Sequence, residues 1–152
     1  MTTDAQAAAF LHLVVGYDGS PPAERAVDAA VRLLQGRDGR IDVVYVAQLS
    51  SLAMLSPGAI AELENDFDEI ERDLRAQAGE QLRDSGMTWE FQRRQGAIAE
   101  ELAAVGAGLH KANPDQSVAI VVGSSSHAAH RVVGSVAVSL ARHSPVPLVI
   151  VP

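Results

Sequence analysis

The chain has 152 residues, 47% of them hydrophobic, and carries a formal net charge of -7 with no cysteine. That length suits one globular domain with a buried core, and the acidic balance argues against a nucleic-acid partner, whose binding rests on clustered cations. The missing thiols exclude disulfides and thiolate metal sites. No apolar run nears the roughly 18 residues of a membrane helix, so no membrane contact and a cytoplasmic location are predicted. Residues 1–9 lack Lys, Arg and a long apolar stretch, which reads as a flexible tail rather than a secretory signal.

The elements alternate from there. Phe10 to Tyr17 is a short apolar run ending in Asp18-Gly19-Ser20, the pattern of a strand buried on both faces in a parallel sheet. Ser20-Pro21-Pro22 starts a helix, with Ala26, Ala30, Val31 and Leu34 at helical spacing and Gly36 as its stop. Ile41 to Ala47 is a second, β-branched strand. Ser50 to Gly58 reads as a loop punctuated by Pro57-Gly58, a candidate lid or linker. Between Ala59 and Arg83 a long helix is predicted from Ile60, Leu63, Phe67, Ile70, Leu74, Ala78 and Leu82. Its acidic residues, from Glu62 to Glu71, are read as a solvated face rather than as a metal or partner site.

Met87 to Arg94 alternates apolar and polar, so one face is wet and the strand belongs at a sheet edge, with Trp89 and Phe91 as core. A helix follows Gly96 with Ile98, Leu102, Val105 and Leu109 inward. Gly106 and Gly108 weaken its end by about 1 kcal/mol each. Ser117 to Val122 is a fourth strand, the helix opening at Gly134-Ser135 carries Val138 and Ala141, and Pro145 to Val151 is a fifth strand. Such alternation predicts an α/β domain over residues 10–152 with a parallel sheet. Ligands of open parallel sheets bind beyond the carboxyl ends of the strands, where strand order reverses. That rule brings Asp18 and Gly123 to one crevice and leaves Asp42 at the wrong end of its strand. The stretch from Val121 to Val136 runs from a buried strand through small residues into a helix start, whose unpaired N–H groups suit an anion.

Asp18-Gly19-Ser20 after the first strand, Val121-Val122-Gly123-Ser124 at the fourth, Gly134-Ser135-Val136 opening a helix and a closing Pro-Val-Pro-Leu-Val-Ile-Val run together resemble the universal stress protein family. The resemblance covers Phe10 to Pro152. It implies a five-stranded parallel sheet in the order 3-2-1-4-5 with helices on both faces, Rossmann-like and similar to the adenine nucleotide alpha hydrolases. It also implies a homodimer through the last strand, Val146 to Val151. Many members bind ATP through a Gly-x2-Gly-x9-Gly-Ser/Thr motif. Carried over, Gly16 belongs to the nucleotide site, Asp18 stands beside the ribose, Val46 meets adenine through its backbone, and Gly123, Gly134, Ser135 and Val136 meet phosphate. Two departures are evident: Ser126 replaces the second glycine, and ten residues separate Gly123 from Gly134 where the pattern has twelve. Arg131, with His127 and His130, offers cationic contacts in their place, Arg131 as a phosphate fork.

Competing readings are weaker. His127 and His130 have no third metal ligand at matching spacing. Gly123 to His127 lacks the closing glycine of a nucleophile elbow, and no Walker lysine or general base is evident. Two function classes follow. One is an ATP-binding stress-response homodimer, with or without Mg²⁺, that regulates unknown protein partners and is not an enzyme. The other is a family dimer that has lost the nucleotide and acts as a protein-interaction adaptor.

Overall fold

The computed structural model describes residues 10–48, 56–124 and 134–152. Along it run β1 (Leu11–Gly16), α1 (Pro21–Leu34), β2 (Gly39–Ala47), α2 (Pro57–Leu82), β3 (Thr88–Gln95), α3 (Ile98–Ala112), β4 (Ser117–Gly123), α4 (Ser135–His143) and β5 (Leu148–Val151). The strands form one sheet in the order β3-β2-β1-β4-β5, and every neighbouring pair is parallel. The expected strand order and the edge position of the alternating third strand are both present.

Because strand side chains alternate between faces, the two sides of the sheet carry separate cores. Leu13, Val15 and Val43 pack with Ala26 and Val27 of α1 and Leu74 of α2. Val14, Val44 and Ile120 pack on the opposite face with Leu102 of α3 and Leu140 of α4. The helices thus cover both faces, as parallel strands buried on both sides require.

Several local expectations change. Pro57 and Gly58 are not loop punctuation: Ser56 Oγ accepts from the Ala59 N–H and Pro57 occupies the first turn, so α2 begins there. This repeats the start of α1, where Ser20 caps ahead of Pro21, because a missing proline N–H costs nothing in a first turn. The remainder of the candidate lid, residues 50–55, lies outside the described residues, as does the tail at residues 1–9. Ile60 and Ile70 of α2 are exposed rather than inward. On α4 the inward residues are Ala137 and Leu140, while Val138 and Ala141 face solvent. The last strand starts at Leu148, not Pro145, since neither proline has an N–H to donate to the ladder. Val146 is nevertheless buried, within reach of α3.

The acidic face of α2 is only partly solvated. Arg93 of β3 meets Asp68 at 2.7 Å, Glu71 at 3.4 Å and Glu64 at 3.7 Å. The carboxylates therefore fasten the helix to the sheet's edge strand. At the amino-terminal end of the sheet, Asp42 is 1% exposed and paired with Arg40, which also bonds Glu90 at 2.8 Å. Asp42 lies in the first half of β2, away from the carboxyl ends of the strands, as its place in the sequence predicted.

Candidate functional site

At the reversal of strand order, β1 turns away from β4 and leaves a cleft of about 250 Å³ between the strand ends and the starts of α3 and α4. Gly16, Asp18, Val46 and Gly123 line it from the sheet side, and Gly134, Ser135 and Val136 from the start of α4. All seven candidates that fall within the described residues border this one cleft. Ser126 and Arg131 lie outside the described residues, and so do His127 and His130.

Each part of the wall has a local cause. The turn after β1 needs Gly19, whose φ is +76° and whose missing Cβ leaves room for Leu74 of α2 at 2.7 Å. The Ser20 N–H donates to Asp18 Oδ1 at 3.0 Å. Asp18 thus spends one oxygen on the turn, as short acidic side chains often do, and remains exposed at the cleft. Gly16 and Gly123 are absent from the positive-φ glycines; their smallness matters instead. A Cβ on Gly16 would stand 3.0 Å from Leu102, and one on Gly123 would overlap the Pro22 carbonyl.

Val46 lines the cleft at the end of β2. The β1–β2 ladder ends at Gly16 and Val44, with one further bond from the Tyr17 N–H to the Val44 carbonyl. Backbone groups alternate in direction along a strand, so Val46 N–H and C=O point to the side where β1 has already ended. A donor and an acceptor side by side suit the edge of a nucleobase. On the opposite side, α4 opens without a side-chain cap, and its first intrahelical bond runs from Val138 to Gly134. The N–H groups of Ser135, Val136 and Ala137 are left at a positive helix end. Gly134 itself has φ -59°.

The sequence did not single out the cleft's apolar wall. Ile98 and Leu102 of α3 and Tyr17 of the β1 exit line it. The helical spacing of Ile98 and Leu102 marked them as inward but could not say that they face a cleft rather than solid core. Burial raises the Tyr17 phenol above the usual tyrosine range, with Glu24 and Asp18 adding to the effect. Among the described residues, no group of three or more His, Asp or Glu side chains is placed to hold a metal ion, and no helix is long and apolar enough to cross a membrane.

A cleft of this kind, at the carboxyl ends of parallel strands where their order reverses, is where open α/β domains as a class take small ligands. The sequence profile of the Universal stress protein family matches residues 9–152, and the chain belongs to that family. Similar solved structures include the universal stress protein UspA from Lactobacillus plantarum, 20% identical with a TM-score of 0.71 over 95% of this chain and 99% of that one. A universal stress protein in complex with cAMP is 25% identical, with a TM-score of 0.66 over 95% and 98% of the two chains. A family protein from Arabidopsis thaliana with AMP bound is 12% identical, with a TM-score of 0.61 over 93% and 90%. No curated protein matches the chain.

Proposed function

We propose that this protein is an adenine-nucleotide-binding, non-enzymatic regulator of the stress response, cytoplasmic and homodimeric, with ATP as the leading ligand, with or without Mg²⁺. The observation that carries the reading is the convergence of Gly16, Asp18, Val46, Gly123 and the Gly134–Val136 helix start on one cleft, although they come from distant parts of the chain. Their chemistry fits the parts of a nucleotide. Val46 offers a donor and acceptor to adenine, Asp18 an acceptor to ribose hydroxyls, and the first turn of α4 unpaired N–H groups to phosphate. The cAMP and AMP complexes of two structural neighbours support the same ligand class. Binding, rather than turnover, would shift which surface is offered to protein partners.

Differential scanning calorimetry with AMP, cAMP and ATP, the last with and without Mg²⁺, tests this. A ligand that binds only the native state stabilises it by about 2.7 kcal/mol at a concentration of about 100 Kd. That is a rise of about 5 to 10 °C in Tm for a domain of this length. A Tm that ignores all three at millimolar concentration sinks the reading. The alternative, a dimeric adaptor that has lost the nucleotide, is favoured by Ser126 and by the ten residues between Gly123 and Gly134. Adenine nucleotide released from freshly purified, denatured protein would eliminate it.

A further inference from the structure

Arg25 lies outside the cleft wall, yet its guanidinium joins two pieces of backbone that meet at the phosphate end of the site. Nε donates to the Pro152 backbone oxygen at 3.1 Å, and Nη2 donates to the Ser124 carbonyl at 3.4 Å. Ser124 is the first residue beyond β4, and its own N–H donates to the Val151 carbonyl at 2.7 Å. Beyond Ser124 the described residues resume at Gly134, the cap of α4. One turn back along α1, the Pro22 carbonyl lies so close to Gly123 that no side chain fits between them. The exit of β4 is thus held between the start of α1 and the end of β5, and Arg25 spans the gap.

We propose that Arg25 is a positioning residue: it fixes the direction in which the chain leaves β4, and so the alignment of Ser124 with the first turn of α4 where phosphate is held. This rests on the nucleotide reading above. It deepens that reading by assigning the phosphate end a control that reaches from the last strand, since the same guanidinium holds the end of β5. A planar fork with several N–H donors can hold two separate acceptors in fixed directions, which a single ammonium cannot do as well. The residue acts through backbone, so adenine and ribose contacts on the Val46 and Asp18 side do not depend on it.

The test compares adenosine with AMP by isothermal titration calorimetry in the natural protein, Arg25→Gln and Arg25→Lys. In Arg25→Gln, AMP affinity falls roughly three- to tenfold, the net scale of one ordinary hydrogen bond, as suits an indirect effect at a partly exposed site. Adenosine affinity stays unchanged. Arg25→Lys, which keeps the charge but offers one nitrogen, fails to restore AMP binding. Full restoration by lysine would mean that charge alone matters and overturns the proposal, as does unaltered AMP affinity in Arg25→Gln. If the natural protein binds neither of these, nor cAMP or ATP, the nucleotide reading falls. The positioning role is then judged by amide hydrogen exchange. Faster exchange at Ser124 in Arg25→Gln, with the amides of α1 unaffected, supports it, and unchanged exchange at Ser124 overturns it.

Discussion

Asp18 accepts the Ser20 N–H through Oδ1 while its exposed carboxylate borders the cleft, so its structural and ligand roles separate by substitution. Asp18→Asn keeps the acceptor for the turn and gives up the charge. Calorimetric titration with AMP is expected to show weaker binding, with the melting temperature of the free protein unchanged. Asp18→Ala removes both roles and lowers stability as well, by about 1 kcal/mol for a lost turn hydrogen bond. Its neighbour Tyr17 gives a pH signature. Its phenol is raised above 10.0 in the fold, chiefly by burial, so the native state holds the proton more tightly than the unfolded chain does. The associated stability is intact below pH 10.0, declines once the unfolded tyrosine ionises, and is lost as pH rises through the native pKa. Urea unfolding across that alkaline range should show a shallower decline for Tyr17→Phe. Some decline persists through Tyr45, which burial also raises.

At the scale of elements, α2 is the instructive case. Its helical period was plain in the sequence, but Ile60 and Ile70 satisfy that period while facing solvent. Spacing reports which residues share a stripe, not which of them a partner covers: Ile60 lies ahead of the first buried residue, Phe67, and Ile70 stands exposed between buried Phe67 and Leu74. At 26 residues the helix is about 39 Å long, whereas the eight residues of β3 span about 26 Å. The start at Ser56-Pro57 is ambiguous in the sequence because a Pro-Gly pair is also a turn signal, and only the preceding hydroxyl separates the two meanings. The acidic stripe was read alone because Arg93 is distant in sequence and becomes its partner only through the fold. Gly106 likewise looked like a simple weakness. In place, a Cβ there would come within 3.0 Å of Val146 and 3.3 Å of Ile120, so the glycine allows α3 to approach the sheet. Arg93 is held by its bond to Asp68 and by the charges of Glu71 and Glu64, and its own pKa is raised. Replacing Arg93 with Met should free the first half of α2 at a cost of about 1 kcal/mol or less, because its partners Asp68 and Glu64 are substantially exposed. Amide exchange between Ile60 and Glu71 should accelerate, and added salt should produce a weaker form of the same change in the natural protein.

For the whole molecule, the position of the cleft follows from strand alternation and the reversal rule. Asp18 and Gly123 meet there because topology leaves them no other neighbour. What topology could not supply was the apolar wall, which depends on how α3 lies across β1 and β4. The same sheet has two edges of opposite character. β3 presents Glu90, Arg93 and Arg94, charges that discourage pairing with another strand. β5 is Leu148-Val149-Ile150-Val151 without a charge, and Ile150 is 37% exposed. An uncharged apolar strand with one ladder edge unpaired among the described residues is a template for a second strand, and pairing with a copy of itself satisfies both edges through one two-fold contact. Because β5 runs only from Leu148 to Val151, the proposed dimer strand shortens from Val146–Val151 to those four residues, and Ile150 is the residue to change. Ile150→Lys places a like charge on both copies across the axis while leaving the core residues Val149 and Val151 in place. Sedimentation should then show the natural protein at twice 16.0 kDa and the variant at its monomer mass, with an unaltered far-ultraviolet circular dichroism spectrum. If both sediment as monomers, the edge is closed by something other than a second copy, and the dimer is wrong. If both sediment as dimers, the contact lies on another surface.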